Sequence, residues 1–301
     1  MSKAQRLAVT EIFRRLPFDI AGDPVEQRSA MEQALTAAPL PGDVTLTPGA
    51  LDGVPALTVQ VGDGDTARAL LHFHGGVYVL GSARAGAGLA AALGRYAGVR
   101  VISVDYRLAP EHPYPAAIDD AVAAYRALLK QLPGSQIAIS GESAGGGLAV
   151  ALLLRLKEAG LPLPSSVVLL SPYADLTLSG ESMVSKATVD PSALTPVGLR
   201  RRVPDYLGGA DPKEPLISPI FADLRGLPPM LIQVGSHEIL LDDAVRLAAR
   251  AAADDIEVTL SVTPEVPHVF QAFAAMLAEG ETALRSAGAF LCTHFDEPVE
   301  K

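Results

Sequence analysis

The sequence contains a single cysteine, Cys292, among 301 residues. No intrachain disulfide can therefore form, and the cysteine content gives no reason to invoke an oxidising compartment. Basic residues are also few, because 24 Lys and Arg stand against 34 Asp and Glu, a formal net charge of −10. An acidic chain repels phosphate backbones, so we expect no nucleic-acid partner.

Long apolar runs are missing as well. The most apolar stretches, Leu148–Leu154 and Val167–Leu170, are far too short to span a bilayer. Charged residues interrupt every apolar run in residues 1–20, which therefore do not resemble a secretory signal. These absences together predict a soluble, cytoplasmic protein without stable membrane insertion.

Motifs for metals and cofactors are also absent. The sequence has no H-E-x-x-H pattern and no cluster of histidine and cysteine with metal-ligand spacing. It has neither a P-loop nor the glycine fingerprint of a dinucleotide-binding turn. We therefore expect no metal and no cofactor.

Apolar residues make up 49% of the chain, enough for one large globular domain. Runs typical of β-strands occur at Val44–Thr47, Ala56–Val61, Ala69–Phe73, Arg100–Val104, Gln136–Ser140, Val167–Ser171, Met230–Val234 and Val258–Val262. From the third run onward, helical segments separate most of them, at Arg84–Tyr96, Ala116–Leu132, Ala144–Ala159, Asp242–Ala253 and Glu281–Cys292. This alternation predicts an α/β fold, with a mostly parallel eight-stranded sheet and helices on both faces.

Two segments stand outside the alternation. Apolar spacing predicts helices at Ala4–Leu16 and Glu26–Ala37, within residues 1–40. Five prolines and the charged helix Val197–Tyr206 mark an excursion at about residues 180–218. We interpret both segments as cap elements over a catalytic domain of residues 41–301, at the edge of the sheet where α/β proteins bind ligands.

The sharpest chemical signal is the stretch Gly141-Glu142-Ser143-Ala144-Gly145, between a strand run and a helix. A serine with glycine two positions away on either side, in this context, is typical of a nucleophile elbow. Glycine is needed because the turn is tight, and the adjacent helix N-terminus favours developing negative charge. A glycine-rich phosphate-binding turn is the alternative interpretation.

A second glycine-containing motif follows the third strand run. His74, Gly75 and Gly76 stand directly after it. Glycine leaves backbone N–H groups free to approach a substrate oxygen, as an oxyanion hole requires. The predicted donors are Gly75 or Gly76, together with Val77 and Ala144, and His74 is expected to brace the loop.

With these motifs the sequence resembles the hormone-sensitive-lipase-like family of α/β-hydrolases, which includes many bacterial carboxylesterases. The residues that carry the resemblance are His74–Gly76, Asp105–Ala116, Gly141–Gly145, Ser171-Pro172, Asp175-Leu176 and Gly226–Pro229. The resemblance covers nearly the whole chain. The resemblance implies an α/β-hydrolase fold and a preference for short- to medium-chain acyl esters.

Two positions depart from the usual pattern of that family. Val77 stands where the family usually has a third glycine, and Glu142 stands where it usually has aspartate. A β-branched residue does not easily adopt a positive φ, so the sequence leaves the exact shape of this loop open, while Val77 can still supply its N–H. Glu142 is interpreted as a solvated or hydrogen-bonded elbow residue, with a second acid at the site as the alternative.

The general base follows by elimination, because this fold carries serine, acid and histidine in that order. Three histidines follow Ser143, namely His237, His268 and His294. His294 ends the terminal helix, and His237 lies beside the candidate acids. His268 lies in the loop after the last strand run and matches the family's position, so it is the predicted base.

The acid is expected in the turn after Met230–Val234. Glu238 aligns with the family's usual aspartate and is preferred as the triad acid. Asp242 is the alternative, although capping of the following helix also accounts for an aspartate there.

These assignments predict a serine carboxylesterase that hydrolyses a small-molecule acyl ester through an acyl-enzyme intermediate. A lactone or amide hydrolase with the same triad, and a non-catalytic small-molecule receptor on the same fold, are the alternatives. Retention of His268 favours catalysis over the receptor. The edge run Val258–Val262 could also pair across a homodimer.

Overall fold

The computed structural model describes residues 3–296, and a single sheet lies at its centre. Its strands are β1 (Val44–Leu51), β2 (Val54–Val61), β3 (Asp65–Phe73), β4 (Val99–Val104), β5 (Ile137–Glu142), β6 (Val167–Leu170), β7 (Met230–Gly235) and β8 (Val258–Thr263). They lie in the order β1-β2-β4-β3-β5-β6-β7-β8. β2 is antiparallel to β1 and to β4, whereas the remaining neighbours are parallel.

Helices cover both faces of this sheet. They are α1 (Lys3–Arg14), α2 (Pro24–Leu35), α3 (Ala87–Ala97), α4 (Ala116–Leu129), α5 (Ala144–Glu158), α6 (Ser182–Ser185), α7 (Pro196–Leu207), α8 (Leu241–Ala253) and α9 (Ala278–His294). Side chains of α4, α5 and α8 join the core on one face, and those of α3 and α9 join it on the other. Among the helices of residues 3–296, none combines the length and the apolar character needed to cross a bilayer.

The predicted fold class is confirmed, and each of the eight predicted strand runs overlaps a strand, although Gln136 and Ser171 lie one residue outside β5 and β6. The central strands are buried on both faces, which is why they read as continuous apolar runs. The start of β3 and the presence of α6 differ from the prediction. Residues 65–68 extend β3 with polar, mostly exposed positions that carry no apolar signal, and α6 is a single turn that the pattern did not predict.

Two segments outside the regular alternation contact each other and the loops at the carboxyl edge of the sheet. Arg202 of α7 donates to the backbone oxygens of Ala21 and Gly22, just before α2. Arg28 of α2 donates to the backbone oxygen of Val79, in the loop after β3. Val9 of α1 is fully buried in a small apolar cluster that includes Val266 and Phe270, beside the loop after β8. This gives α1, α2 and α7 a shared position at one edge of the sheet.

Candidate active site

Ser143 lies at the turn between β5 and α5. Its backbone has φ 53° and ψ −121°, a conformation that costs a non-glycine residue about 1–3 kcal/mol. A Cβ at Gly141 would lie 2.1 Å from the Gly145 oxygen, and a Cβ at Gly145 would lie 2.0 Å from the Phe73 oxygen. Both glycines are therefore required by close backbone approach, and the sequence folds here as a strained strand–turn–helix elbow.

Glu238 and His268 meet at the ends of the neighbouring strands β7 and β8. Nδ1 of His268 lies 2.7 Å from Oε2 of Glu238, and the two side chains are 9% and 0% exposed. The other carboxylate oxygen, Oε1, accepts hydrogen bonds from the Ser171 hydroxyl at 2.9 Å and from the Gly235 N–H at 2.5 Å. The carboxylate is thus held in one orientation, and Nε2 is the imidazole nitrogen that remains for proton transfer.

Ser171, directly after β6, connects this pair to the elbow. Its hydroxyl donates to Glu238 and accepts from the N–H of Val269 at 3.1 Å. The preceding carbonyl, that of Leu170, accepts the N–H of Ser143 at 2.9 Å. The dipeptide Leu170-Ser171 therefore contacts both segments: the Leu170 carbonyl binds the elbow, and the Ser171 hydroxyl binds the loop that carries His268. Sequence reasoning noted Ser171 only as part of a family motif, because its contacts link strands far apart in the chain.

The loop after β3 lies against the elbow. A Cβ at Gly75 would lie 3.1 Å from the Cβ of Ser143, so the two backbones are at contact distance. Within residues 3–296, the N–H groups of Gly76, Val77 and Ala144 have no hydrogen-bond acceptor in the protein. Unpaired amides beside a buried hydroxyl are what stabilisation of an oxyanion requires.

The remaining predicted amide is paired with Glu142. Oε1 of Glu142 accepts the N–H of Gly75 at 3.2 Å, which favours Gly76 over Gly75 as an oxyanion donor. Burial raises the pKa of Glu142 to about 7, although the Gly75 N–H and the charge of His268 act in the opposite direction. The hydrogen-bonded elbow residue expected from the sequence is therefore present, and it contacts the loop after β3.

Val77 does not avoid the left-handed region. Its φ is 52°, between Gly76 at 115° and Tyr78 at 63°, a conformation that is unfavourable for a β-branched residue. The Gly76 carbonyl accepts the N–H groups of Val79 and Leu80, which closes a tight turn around this residue. Val77 is only 3% exposed. Burial of the Val77 side chain and closure of the turn favour this conformation, against the preference of a β-branched residue for a negative φ.

Two histidines at the carboxyl end of β3 are buried, and one of them contacts the loop that follows. Nδ1 of His74 lies 2.7 Å from the Gly75 oxygen, and the ring stacks on Tyr106 with centroids 4.3 Å apart. The Tyr106 hydroxyl donates to the His74 carbonyl at 2.7 Å, so the bracing contacts expected of His74 are present. His72 lies 2.9 Å from the Ser140 hydroxyl through Nδ1, and burial lowers its pKa to about 3. His72 is therefore neutral.

Asp242, the alternative acid, points elsewhere. Its Oδ2 accepts the N–H of Ser182 at 2.8 Å, at the start of α6. The expected capping of α8 was wrong, because that helix begins at Leu241 and has Leu240 at its N-cap. Asp243, which the sequence reasoning passed over, is fully buried and accepts two backbone N–H groups. Burial raises its pKa well above the usual range.

No group of three or more His, Cys, Asp or Glu that could hold a metal ion occurs within residues 3–296. What the loops bring together is a hydroxyl on a strained turn, an imidazole oriented by a carboxylate, and three unpaired amides. These are the components of nucleophilic acyl transfer.

Comparisons with known proteins agree with this chemistry. A family model described as an alpha/beta hydrolase fold matches residues 70–272. The chain is 48% identical to an acetyl-hydrolase of Streptomyces hygroscopicus over 77% of its own length and 78% of the relative. It is 38% identical to an esterase of Acinetobacter venetianus over 92% and 91% of the two chains.

Solved structures give the same result. An esterase of the bacterial hormone-sensitive lipase family is 40% identical, with a TM-score of 0.94 over 98% of this chain and 99% of that one. The esterase EstE5, soaked with p-nitrophenyl butyrate, is 37% identical, with a TM-score of 0.92 over 98% and 100%. Fold and relatives thus define a carboxylic ester hydrolase built on the α/β-hydrolase fold. Within that class, the chain belongs to the hormone-sensitive-lipase-like family of bacterial esterases.

Proposed function

We propose that Ser143, His268 and Glu238 form the catalytic triad of this carboxylesterase, and that short- to medium-chain acyl esters are its substrates. The observation that carries the proposal is the hydrogen bond of 2.7 Å between His268 and Glu238, joined to the elbow through Ser171. It fixes the imidazole with Nε2 available, as a general base beside a serine requires.

The proposed reaction has two halves. Ser143 Oγ attacks the ester carbonyl carbon while its proton passes to Nε2 of His268. The N–H groups of Gly76, Val77 and Ala144 bind the oxyanion, and the alcohol leaves with the proton as the carbon–oxygen bond breaks. Water then attacks the acyl-enzyme, His268 takes a proton from it and returns that proton to Ser143, and the carboxylic acid leaves.

Substrate size is proposed from burial and from relatives. Ser143 and His268 are only 5% and 7% exposed, so the acyl group must enter a covered space. Names such as acetyl-hydrolase among the relatives, and the butyrate ester soaked into EstE5, are consistent with short acyl groups. The same triad could also open lactones or cleave amides.

A panel of p-nitrophenyl esters of increasing acyl length tests the substrate proposal. We expect kcat/KM to be highest for short acyl chains and to fall steeply for long ones, because the covered site limits the buried length of chain. A matched lactone and anilide of the best acyl group are measured in parallel. Faster turnover of either one, or a preference for the longest esters, would contradict the proposal.

The segments at residues 1–40 and about 180–218 are proposed to act as the cap. Deletion of residues 1–37 should leave a protein that melts cooperatively, because the central sheet starts at Val44. Activity should fall strongly or shift in acyl-length preference. Arg28→Ala is the matched variant, because it keeps α2 but removes its hydrogen bonds to Val79, Ala109 and Glu111. Loss of cooperative melting on deletion would show that these helices belong to the core.

The other expectations remain predictions. β8 lies at an edge of the sheet, as the proposed pairing across a homodimer requires. A cytoplasmic location is expected from the sequence.

A further inference from the structure

The carboxyl of Glu142 lies between the elbow and the oxyanion loop. Oε1 accepts the Gly75 N–H at 3.2 Å, and a Cβ at Gly75 would lie 3.3 Å from Cγ of Glu142. The side chain is 15% exposed, and Oε2 is buried without a hydrogen-bond partner among the described residues. Oε2 lies 3.9 Å from Nε2 of His72, which is beyond hydrogen-bond distance.

The loop that Glu142 contacts is strained. Gly76, Val77 and Tyr78 are three consecutive residues with positive φ, and two of them carry side chains. A β-branched residue in this region is an outlier that persists only where its surroundings impose it. The two departures from the family pattern, Val77 and Glu142, therefore meet at one loop.

We propose that Glu142 is a positioning residue, whose carboxylate holds the Gly75 N–H and thereby keeps Val77 in the left-handed conformation that presents the Gly76 and Val77 amides to the oxyanion. This inference rests on the proposed function, because it assumes that these amides bind the reacting oxygen. Glu142 itself does not touch the substrate.

The surroundings of Glu142 make this contact dependent on pH. The titratable groups around it are His72, His74, Asp105, Tyr106 and His268. Burial lowers the pKa of both His72 and His74, which disfavours a positive charge on either ring. Burial likewise raises the pKa of Glu142 to about 7. The hydrogen bond to Gly75 is therefore charge-assisted above about pH 7 and neutral below it.

Glu142→Gln isolates this charge. Glutamine keeps an oxygen that accepts the Gly75 N–H, so it mimics the protonated carboxyl at every pH. The ratio of kcat/KM between wild type and E142Q should be near one at about pH 5 and rise to about fivefold above pH 8, since ionised acceptors form stronger hydrogen bonds. A flat ratio would overturn the proposal, because a purely structural role has no reason to follow the ionisation.

Melting temperatures show whether Glu142 is the group that titrates. A carboxyl whose folded pKa is about 7 and whose ordinary value is 4.5 stabilises the fold below pH 4.5 and loses that contribution as pH rises to 7. The melting temperature of the wild type should therefore fall relative to E142Q across this window. An unchanged difference in melting temperature would overturn the assigned ionisation.

Glu142→Ala, made with and without Val77→Gly, tests the link to loop strain. In the native loop we expect kcat to fall about 100-fold with KM changed less than about twofold, since the oxyanion contact exists only in the transition state. Glycine at position 77 adopts a positive φ without cost, so there the loss should shrink to about threefold. Equal losses in both backgrounds would overturn the proposal. If the alanine variant fails to fold, the pH dependence of the E142Q ratio is the deciding measurement.

Ser143→Ala separates this inference from the proposed function. If S143A is inactive while the E142Q ratio is flat, the proposed function stands and the role of Glu142 is overturned. If S143A retains the wild-type activity, both are overturned.

Discussion

Replacement of Ser143 by alanine should abolish ester hydrolysis, with a fall of about 10⁶ in kcat, as for the nucleophile of a serine protease. The reason is that, among residues 3–296, Ser143 alone places a hydroxyl at the strained turn and beside the unpaired amides. The measurement is the initial rate on the best ester of the panel, with circular dichroism to show that S143A is folded. Residual rates within about tenfold of wild type would contradict the assignment.

Covalent labelling gives an independent check of the same residue. An organophosphate or a sulfonyl fluoride should add once to the protein and abolish activity, because the activated oxygen attacks the reagent as it attacks an ester. Ser140 offers a matched control, since it lies in β5, three residues before Ser143, but is fully buried against His72. Ser140→Ala should still take up the reagent, whereas Ser143→Ala should not. An adduct at any other residue would contradict the mechanism.

Glu238→Gln should lower kcat by about 10⁴ while the fold is retained. Oε1 of residue 238 accepts hydrogen bonds from Ser171 and Gly235, so the oxygen of glutamine must occupy that position. Its NH₂ group then faces Nδ1 of His268 and forces the imidazole proton onto Nε2. That nitrogen can no longer accept the proton of Ser143, and the large loss follows from this tautomer.

Two further variants act as controls for the acid. Glu238→Asp keeps the charge but is one methylene shorter, so its loss should be smaller than that of E238Q. Asp242→Asn should leave kcat nearly unchanged, because Asp242 binds the Ser182 N–H and asparagine can also accept that bond. If D242N were crippled and E238Q nearly normal, Asp242 would be the acid. The alignment of Glu238 with the family would then be misleading.

Much of the fold could be predicted because its signal is local. The strands β5, β6 and β7 are buried on both faces and therefore appear as continuous apolar runs, and Gly141 of the elbow is fixed by a close approach to Gly145, four residues away. The serine and the histidine followed from such local patterns together with chain order. These features do not depend on distant partners.

The rest depended on contacts between distant segments. The hydroxyl of Ser171 is an ordinary strand-end serine until Glu238 and Val269 are brought beside it. Val77 is buried in a tight turn with a positive φ, against the preference of its side chain. Asp242 looked like a helix cap, but α6, which the sequence did not reveal, provides its partner. The secondary-structure propensity of a short segment carries no information about any of these contacts.

The order of the site residues along the chain has a consequence for synthesis on the ribosome. Ser143 and its elbow are translated well before Glu238, and β8 with the His268 loop is translated last among the strands. At roughly 5–20 residues per second, the nascent chain carries the serine for on the order of ten seconds before the base emerges. With the proposed triad, the hydroxyl has no general base during that interval, so we expect an incomplete chain to be inert towards cellular esters. Hydrolytic activity is therefore acquired only when the last strand docks onto β7.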